Sequence, residues 1–486
     1  MLGTDQAPTP LFLAGRAVQT GRVHDVIDPF RRTIVRSVCV ADLSIVDAAI
    51  DAAASATADC RRWPTHRRRT ALTRISDELA RRRQELTHLL VAEVGKTLHE
   101  AAAEVDRAIE TFRACADAST TRIDELIDLG SSSRGEGRLA LTRRVGVGVA
   151  SLITPFNFPL NLAAHKVGPA IAAGCPFILK PDPRTPLTSL VLGEILAGLD
   201  LPEGMFSVLP ITDDAARDRL VSDDRVAMIS FTGSTTAGWA IKHRSGKKRV
   251  LLELGGIAPC ILDEGLDETA LDRAVKRLTA GAFGQAGQSC ISVQRILVHR
   301  SQMGRACEAL VREASSLRMG DPMKASTQLG PLVSDREARR VEEWISEAVS
   351  LGARLLCGGP RDGSFLPPTL VADAPPACRL MTEEVFGPVA TVEPFDSLDQ
   401  AISLANSTRY GLQAGIFTPS LAGAMRAWNQ LEFGGVVVND IPTFRADSMP
   451  YGGIKDSGSG REGVRFAIEE MTDLRTLVLP TTEGSG

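Results

Sequence analysis

Apolar residues recur at three- and four-residue spacing through residues 44–62, 66–95 and 97–120, which are rich in Ala, Leu, Arg and Glu. That period predicts three helices. From Val145 the pattern changes. Short β-rich runs at 147–153, 176–180, 206–208, 228–231 and 250–253 are separated by Ala- and Leu-rich segments. This alternation predicts a parallel sheet with helices on both faces. A second alternating block follows Cys290, with strands predicted near 295–299, 354–357, 391–395, 414–418 and 435–439. Two α/β blocks imply two domains with a ligand cleft between them. Residues 138–145 and 476–480 alternate apolar and polar positions and read as edge strands, which need a partner for their backbone groups.

Composition narrows the function. A chain of 486 residues, 44% apolar and 23% charged, has room for two or three globular domains. A net charge of −4, from 59 acidic and 55 basic residues, argues against partners that demand a basic excess, nucleic acid or a membrane surface. The Arg-rich stretch 61–83 is interrupted by acidic and apolar residues and reads as solvated helix faces. Residues 145–164 are apolar and long enough to span a bilayer, but they hold two prolines and two asparagines and read as a buried strand and a turn. Met1-Leu2-Gly3-Thr4-Asp5 lacks the charged-then-apolar start of a secretory signal. Nine scattered cysteines without a CxxC predict free thiols in a reducing cytoplasm. Seven histidines with no close pair give no His-based metal site.

The chemistry concentrates in two short runs. Cys290 closes Gly287-Gln288-Ser289-Cys290, and Glu253 opens Glu253-Leu254-Gly255-Gly256. A thiolate is a strong nucleophile toward a carbonyl, and a carboxylate can activate the water that hydrolyses the resulting thioester. Taken alone, a cysteine is a small buried apolar residue and Gly-Gly is a turn. Four further segments change that: Ile153-Thr154-Pro155-Phe156-Asn157-Phe158-Pro159-Leu160-Asn161, Leu179-Lys180-Pro181, Phe231-Thr232-Gly233-Ser234-Thr235-Thr236-Ala237-Gly238, and Glu383-Glu384-Val385-Phe386-Gly387-Pro388-Val389. In this order and spacing, from about residue 10 to about residue 478, the chain resembles the NAD(P)-dependent aldehyde dehydrogenase superfamily.

The resemblance implies the aldehyde dehydrogenase fold: α/β, two parallel-sheet domains plus a small β oligomerisation arm. Residues 1–122 and 146–254 would form the NAD(P)-binding domain, 255–469 the catalytic domain, and 123–145 with 470–486 the arm of a homodimer or homotetramer. It casts Cys290 as nucleophile, Asn157 as a donor to the developing oxyanion, and Glu253 as the water-activating base, with Lys166 and Glu462 behind it. Cofactor contacts would come from Thr154, Pro155, Phe156, Lys180, Gly233, Ser234, Gly238, Leu254, Gly255, Glu384 and Phe386. The turn at Gly233 follows a predicted strand and opens a helix, where backbone N–H groups favour a pyrophosphate. Many NAD-specific members carry a glutamate where this chain has Pro183, so NADP is expected to be tolerated or preferred. Glu253 favours release of a free acid over transfer to coenzyme A. The substrate wall would comprise Arg107, Phe158, Ser289, Ile291, Phe444 and Arg445. Arg107 occupies a position like the anion-binding arginine of the non-phosphorylating glyceraldehyde-3-phosphate branch, although Ser289 replaces that branch's second arginine. The expected substrate is a short polar aldehyde, hydroxy-, phospho-, phosphono- or sulfo-substituted. The alternative is a retired homologue that binds without catalysis, against which the intact set Asn157, Glu253 and Cys290 argues.

Overall fold

The computed structural model describes residues 7–121 and 124–481; Met1–Asp5 and nearly all of the polar tail lie outside the described residues. Four helices, Leu43–Arg62, Thr65–Arg81, Arg83–Val94 and Leu98–Ala118, form from the first periodic stretches. The carboxylate of Asp42 caps the first, and Thr97 with Glu100 forms a reciprocal capping box on the fourth. The single helix expected over 66–95 is two, because Arg82 leaves helical geometry at φ −94° and ψ 14°, where Glu85 and Glu194 hold its guanidinium. Arg68, expected on a solvated face, is buried and donates to the carbonyls of Cys60, Arg61 and Ala172.

The first sheet has eight strands, in the order Arg16–Val18, Leu11–Leu13, Phe206–Val208, Phe177–Lys180, Val149–Ile153, Val226–Thr232, Arg249–Glu253 and Gly458–Ser459. The five strands from Phe206–Val208 to Arg249–Glu253 are parallel and fully or largely buried. The apolar stretch 145–164 supplies one of them, Val149–Ile153, then a turn and the start of the helix Asn161–Ala173. The second sheet has seven strands, in the order Arg354–Cys357, Thr369–Ala372, Val389–Phe395, Val293–His299, Ala258–Leu262, Gln413–Phe417 and Gly435–Val438, all parallel except the first pair. Its interior strand Ala258–Leu262 escaped the sequence reading because every residue in it is buried, which erases alternation, and because Pro259 interrupts it. The register shifts at that proline, which has no N–H to give the ladder.

Thr472–Pro480, Arg138–Gly146 and Leu126–Asp128 form a separate three-stranded antiparallel sheet. Residues 458–469, expected within the second block, side with the first, as does Met471 from the expected arm. Gly458–Ser459 pairs antiparallel with Arg249–Glu253, and Val464, Ile468 and Met471 join the core under the first sheet. Four parallel strands therefore end at one place: 149–153 at Thr154, 177–180 at Lys180, 226–232 at Gly233 and 249–253 at Glu253. The carboxyl edge of a parallel sheet is where ligands of such folds bind.

Candidate active site

A cleft of about 660 Å³ opens at that edge, with Asn157, Glu253 and Cys290 in its lining. The helix Glu268–Phe283 stops at Gly284, and the next three residues are all left-handed, with φ of 52° at Gln285, 52° at Ala286 and 69° at Gly287. Left-handed non-glycine residues cost on the order of 1–3 kcal/mol each and persist only where surroundings fix them. Here the fixing is visible. The Gln285 side chain donates to the main-chain carbonyl of Asn157, and the Gln288 amide donates to the Gln285 carbonyl at 3.1 Å while accepting from Val333 N at 2.9 Å. Asn157 returns one amide N–H to the carbonyl of Gln288 at 2.9 Å. Gly287 is required twice over: its φ is positive, and a Cβ there would sit 2.0 Å from the carbonyl oxygen of Gly387.

This turn presents Cys290 half-buried, its Sγ 3.1 Å from the hydroxyl of Tyr451. Desolvation pushes the thiol up to about 11; Tyr451 and Arg445 act against that, and the charges of Glu384 and Glu253 add to it. Glu253 is buried, and neither carboxylate oxygen has a hydrogen-bond partner among the described residues. Burial first, and then the negative charge of Glu462, raise its pKa well above the carboxylate range. Glu462 moves the other way. Burial alone would raise it, but Lys166 at 3.1 Å and Arg445 at 3.0 Å hold it ionised, down to about 2. Lys166 and Glu462 do not line the cleft; they meet in the fully buried layer behind it, where Lys166 also donates to Ser230 at 2.9 Å. Two neighbouring carboxyls with opposed affinities for protons are a recurring arrangement in acid–base sites.

The far end of the cleft suits a dinucleotide. Thr154, Pro155, Phe156, Lys180, Gly233, Ser234, Leu254, Gly255, Glu384 and Phe386 all line it. The hydroxyls of Thr154 and Thr232 are buried without a partner among the described residues, as polar groups awaiting a polar ligand would be. Ser234 caps the helix Thr235–Arg244, whose free N–H groups face the cleft end. Gly238 does not line the cleft; a Cβ there would meet a Leu254 methyl at 2.3 Å, so it lets that helix seat against the sheet. Gly255 admits Glu384, whose carboxylate accepts from Gly256 N at 3.2 Å and would lie 2.1 Å from a Cβ at 255. Phe386, left-handed at φ 50°, packs edge-on against Phe156 at 5.7 Å. Pro183 is not part of the cleft wall. Its neighbours Asp182 and Arg184 line the wall instead, paired at 2.8 Å, with Arg184 stacked 4.2 Å over Phe156. A carboxylate is thus present beside Lys180 after all, one position before the proline. Burial lowers Lys180 to about 8, with Asp182 acting against it.

At the opposite end lie Arg107, Phe158, Ser289, Ile291 and Arg445; Phe444 is 47% exposed and outside the lining. Both arginines already hold carboxylates. Arg107 grips Asp447 through two bonds of 2.6 and 3.1 Å, and Asp447 also bonds His165 at 2.8 Å. Burial opposes ionisation of Asp447, but His165 and Arg107 outweigh it and keep the carboxyl well below its usual range. Arg445 lies 3.8 Å over the ring of Tyr451, and its Nε is buried without a partner among the described residues. Glu104 accepts from Leu160 N at 3.0 Å and Asn161 N at 3.2 Å, and pairs with the buried Lys96, which sits 3.7 Å over the Phe158 ring. Sequence reasoning missed Tyr451, Asp447, His165 and Gln285. Asp447 and Tyr451 lie two and six residues beyond Arg445, which the sequence did mark for the substrate wall.

Gly287→Ala is expected to slow the reaction of Cys290 with a bound substrate by about 10²-fold, because a misplacement of about 1 Å at a reacting group has that effect. Wild-type kcat/KM in a folded variant would contradict the role given to this turn.

Residues 16–477 match the model of the aldehyde dehydrogenase family. The chain is 38% identical to 3-sulfolactaldehyde dehydrogenase of Priestia aryabhattai over 96% of its own length and 97% of that protein. Among solved structures it resembles aldehyde dehydrogenase 21 from Physcomitrella patens in complex with the reaction product succinate. That match has 41% identity and a TM-score of 0.95 over 98% of this chain and 99% of the other. It also resembles a glyceraldehyde-3-phosphate dehydrogenase from Methanocaldococcus jannaschii complexed with NADP, with 37% identity and a TM-score of 0.90 over 95% and 100% of the two chains. With the thiol of Cys290, the amide of Asn157 and the carboxylate of Glu253 lining one cleft, and the match running along its length, the chain belongs to the NAD(P)-dependent aldehyde dehydrogenase family.

Proposed function

We propose that the protein oxidises a short anionic or strongly polar aldehyde to its free carboxylic acid through a covalent thioester on Cys290. The observation that carries the hydrolytic reading is the pair of buried, unpartnered Glu253 oxygens in the same cleft as the thiol. The thiolate adds to the aldehyde carbon, a C–S bond forms, and the carbonyl π pair moves onto oxygen. The second N–H of Asn157 and the backbone N–H of Cys290 are the donors assigned to that oxygen, each worth about 10²–10³ in turnover. Bound NAD(P) supplies the acceptor for the hydride that leaves the carbon. Glu253 then takes a proton from water, the hydroxide adds to the thioester, and the acid departs as the thiolate is restored. Lys166 and Glu462 hold the charge balance behind Glu253.

Substrate polarity rests on Arg445, since Arg107 already holds Asp447. The unpartnered Nε of Arg445 faces a buried site, and a guanidinium fork suits carboxylate, sulfonate or phosphate. The relatives named for sulfolactaldehyde and for succinate as product support an acidic substituent. At the adenosine end Lys180, Arg184 and Arg217 outnumber Asp182, so acceptance of NADP is assigned to these cations. Assembly as a homodimer or homotetramer is assigned to the antiparallel arm, which leaves Leu126, Leu474 and Leu477 exposed, together with the open edge of Gly435–Val438 and the exposed Trp428. Nine cysteines without disulfides suit a reducing cytoplasm. The non-catalytic alternative is weakened by the convergence of Asn157, Glu253 and Cys290 on one cleft.

With NAD and NADP side by side, a panel of short neutral and anionic aldehydes should give reduced cofactor with the anionic members best, and none with Cys290→Ala. No turnover, and no cofactor binding, would favour the retired homologue. Glu253→Gln should form one reduced cofactor per active site in a burst and then stall; a variant that turns over like wild type would remove the general-base role. Because burial and Glu462 raise Glu253, the base is protonated at low pH, so hydrolysis should rise with pH through that raised value, and this limb should vanish in the variant. Arg445→Met should lower kcat/KM for anionic aldehydes by about 10-fold or more while changing neutral ones less. Equal losses for both would refute an anion contact.

A further inference from the structure

Tyr451 is buried, and nothing in the reaction just described uses its hydroxyl, yet that oxygen lies within hydrogen-bond distance of the nucleophile, 3.1 Å from Sγ. The ring is held from several sides. Tyr451 N and O both bond the backbone of Glu462, at 3.0 and 2.6 Å, and Ile291 and Leu412 pack with it in one small apolar cluster beside Cys290. The guanidinium of Arg445 covers its face at 3.8 Å. A cation over an aromatic face draws electron density from the ring, which makes the phenolic O–H a stronger donor.

We infer that the Tyr451 hydroxyl donates a hydrogen bond to the Cys290 thiolate and is the group that makes this half-buried nucleophile ionisable, and thus a catalytic residue of this enzyme. The inference rests on Cys290 being the nucleophile but not on the identity of the aldehyde. The charged groups that face the sulfur explain why such a donor is needed. Glu253, at the end of the strand Arg249–Glu253, and Glu384, in the loop after Arg379–Thr382, both oppose a thiolate, and so does desolvation. Arg445, from the loop 439–450, is the cation that favours it, and Glu462 already engages that cation. The hydroxyl supplies what a divided charge cannot, a short-range bond specific to the ionised sulfur. Burial keeps the phenol itself protonated, so between these two partners the proton stays on oxygen when the thiol ionises. When the sulfur adds to a carbonyl carbon it loses its charge, and the bond to Tyr451 weakens.

The test is alkylation of Cys290 by iodoacetamide in the cofactor-free protein, followed on the Cys290 peptide by mass spectrometry across pH. Only the thiolate reacts, so below the midpoint the rate follows the ionised fraction. Tyr451→Phe removes one oxygen and should slow alkylation about 10-fold at each such pH, an upward shift of about one pH unit, as expected for losing a hydrogen bond to a charged group. Its thermal midpoint should stay near wild type. The acid limb of kcat/KM should move upward in parallel, a change that a merely structural ring would not produce. Tyr451→Met, equally without a donor, serves should the phenylalanine protein not fold. Alkylation as fast as wild type, or faster, in a folded variant would overturn the inference. A slowed alkylation with no aldehyde turnover in either protein would support it while sinking the substrate reading.

Discussion

Glu462 is a carboxylate with no access to water, held ionised between Lys166 at 3.1 Å and Arg445 at 3.0 Å. Removing either cation would leave a buried charge incompletely paired, a situation that costs about 3–5 kcal/mol. The site is arranged around that constraint. The fixed negative charge at Glu462 helps to push the proton affinity of Glu253 upward, as a base near neutrality requires. It also orients Arg445, which covers the Tyr451 ring and reaches toward the substrate end. The backbone of Glu462 bonds that of Tyr451 in both directions. One residue thereby sets the electrostatics of the base and the placement of the groups around the nucleophile.

The fold explains how such distant residues meet. Asn157, Lys180 and Glu253 leave the carboxyl ends of neighbouring parallel strands, so the sheet spaces them. Cys290 comes from the other block, on a turn whose left-handed run is tied by side-chain amides to the Asn157 backbone. Tyr451 and Glu462, joined by their backbones, arrive from near the C-terminus on either side of Gly458–Ser459, which pairs with the first sheet before the chain ends in the arm.

Much of this was legible in advance where a motif is local. The runs around Asn157, Glu253, Cys290 and Glu384 keep their chemistry in a few consecutive residues, and the strands leading into them are apolar enough to stand out. What escaped depends on contacts between segments far apart in sequence. The hydroxyl of Tyr451 matters only because residue 290 lies opposite it. Arg107 reads as a free cation until Asp447, from a loop beyond position 440, closes on it. Gly238 and Pro183 occupy motif positions near the cofactor end, but the neighbours Leu254, Asp182 and Arg184 form the wall. The break at Arg82 has no glycine or proline to announce it.

Glu100 belongs to the capping box of the helix Leu98–Ala118, where it bonds Thr97 with one oxygen. Its other oxygen accepts the backbone N–H of Gln285, in the turn that carries the nucleophile. The start of the helix bearing Arg107 is therefore fastened directly to the thiol's own loop. Exchanging the side chains that project from that helix into the cleft alters which aldehyde is held without disturbing where the sulfur stands. Lengthening or rotating the helix would carry the sulfur with it. In such a scaffold substrate range can drift residue by residue while the reacting geometry is inherited intact.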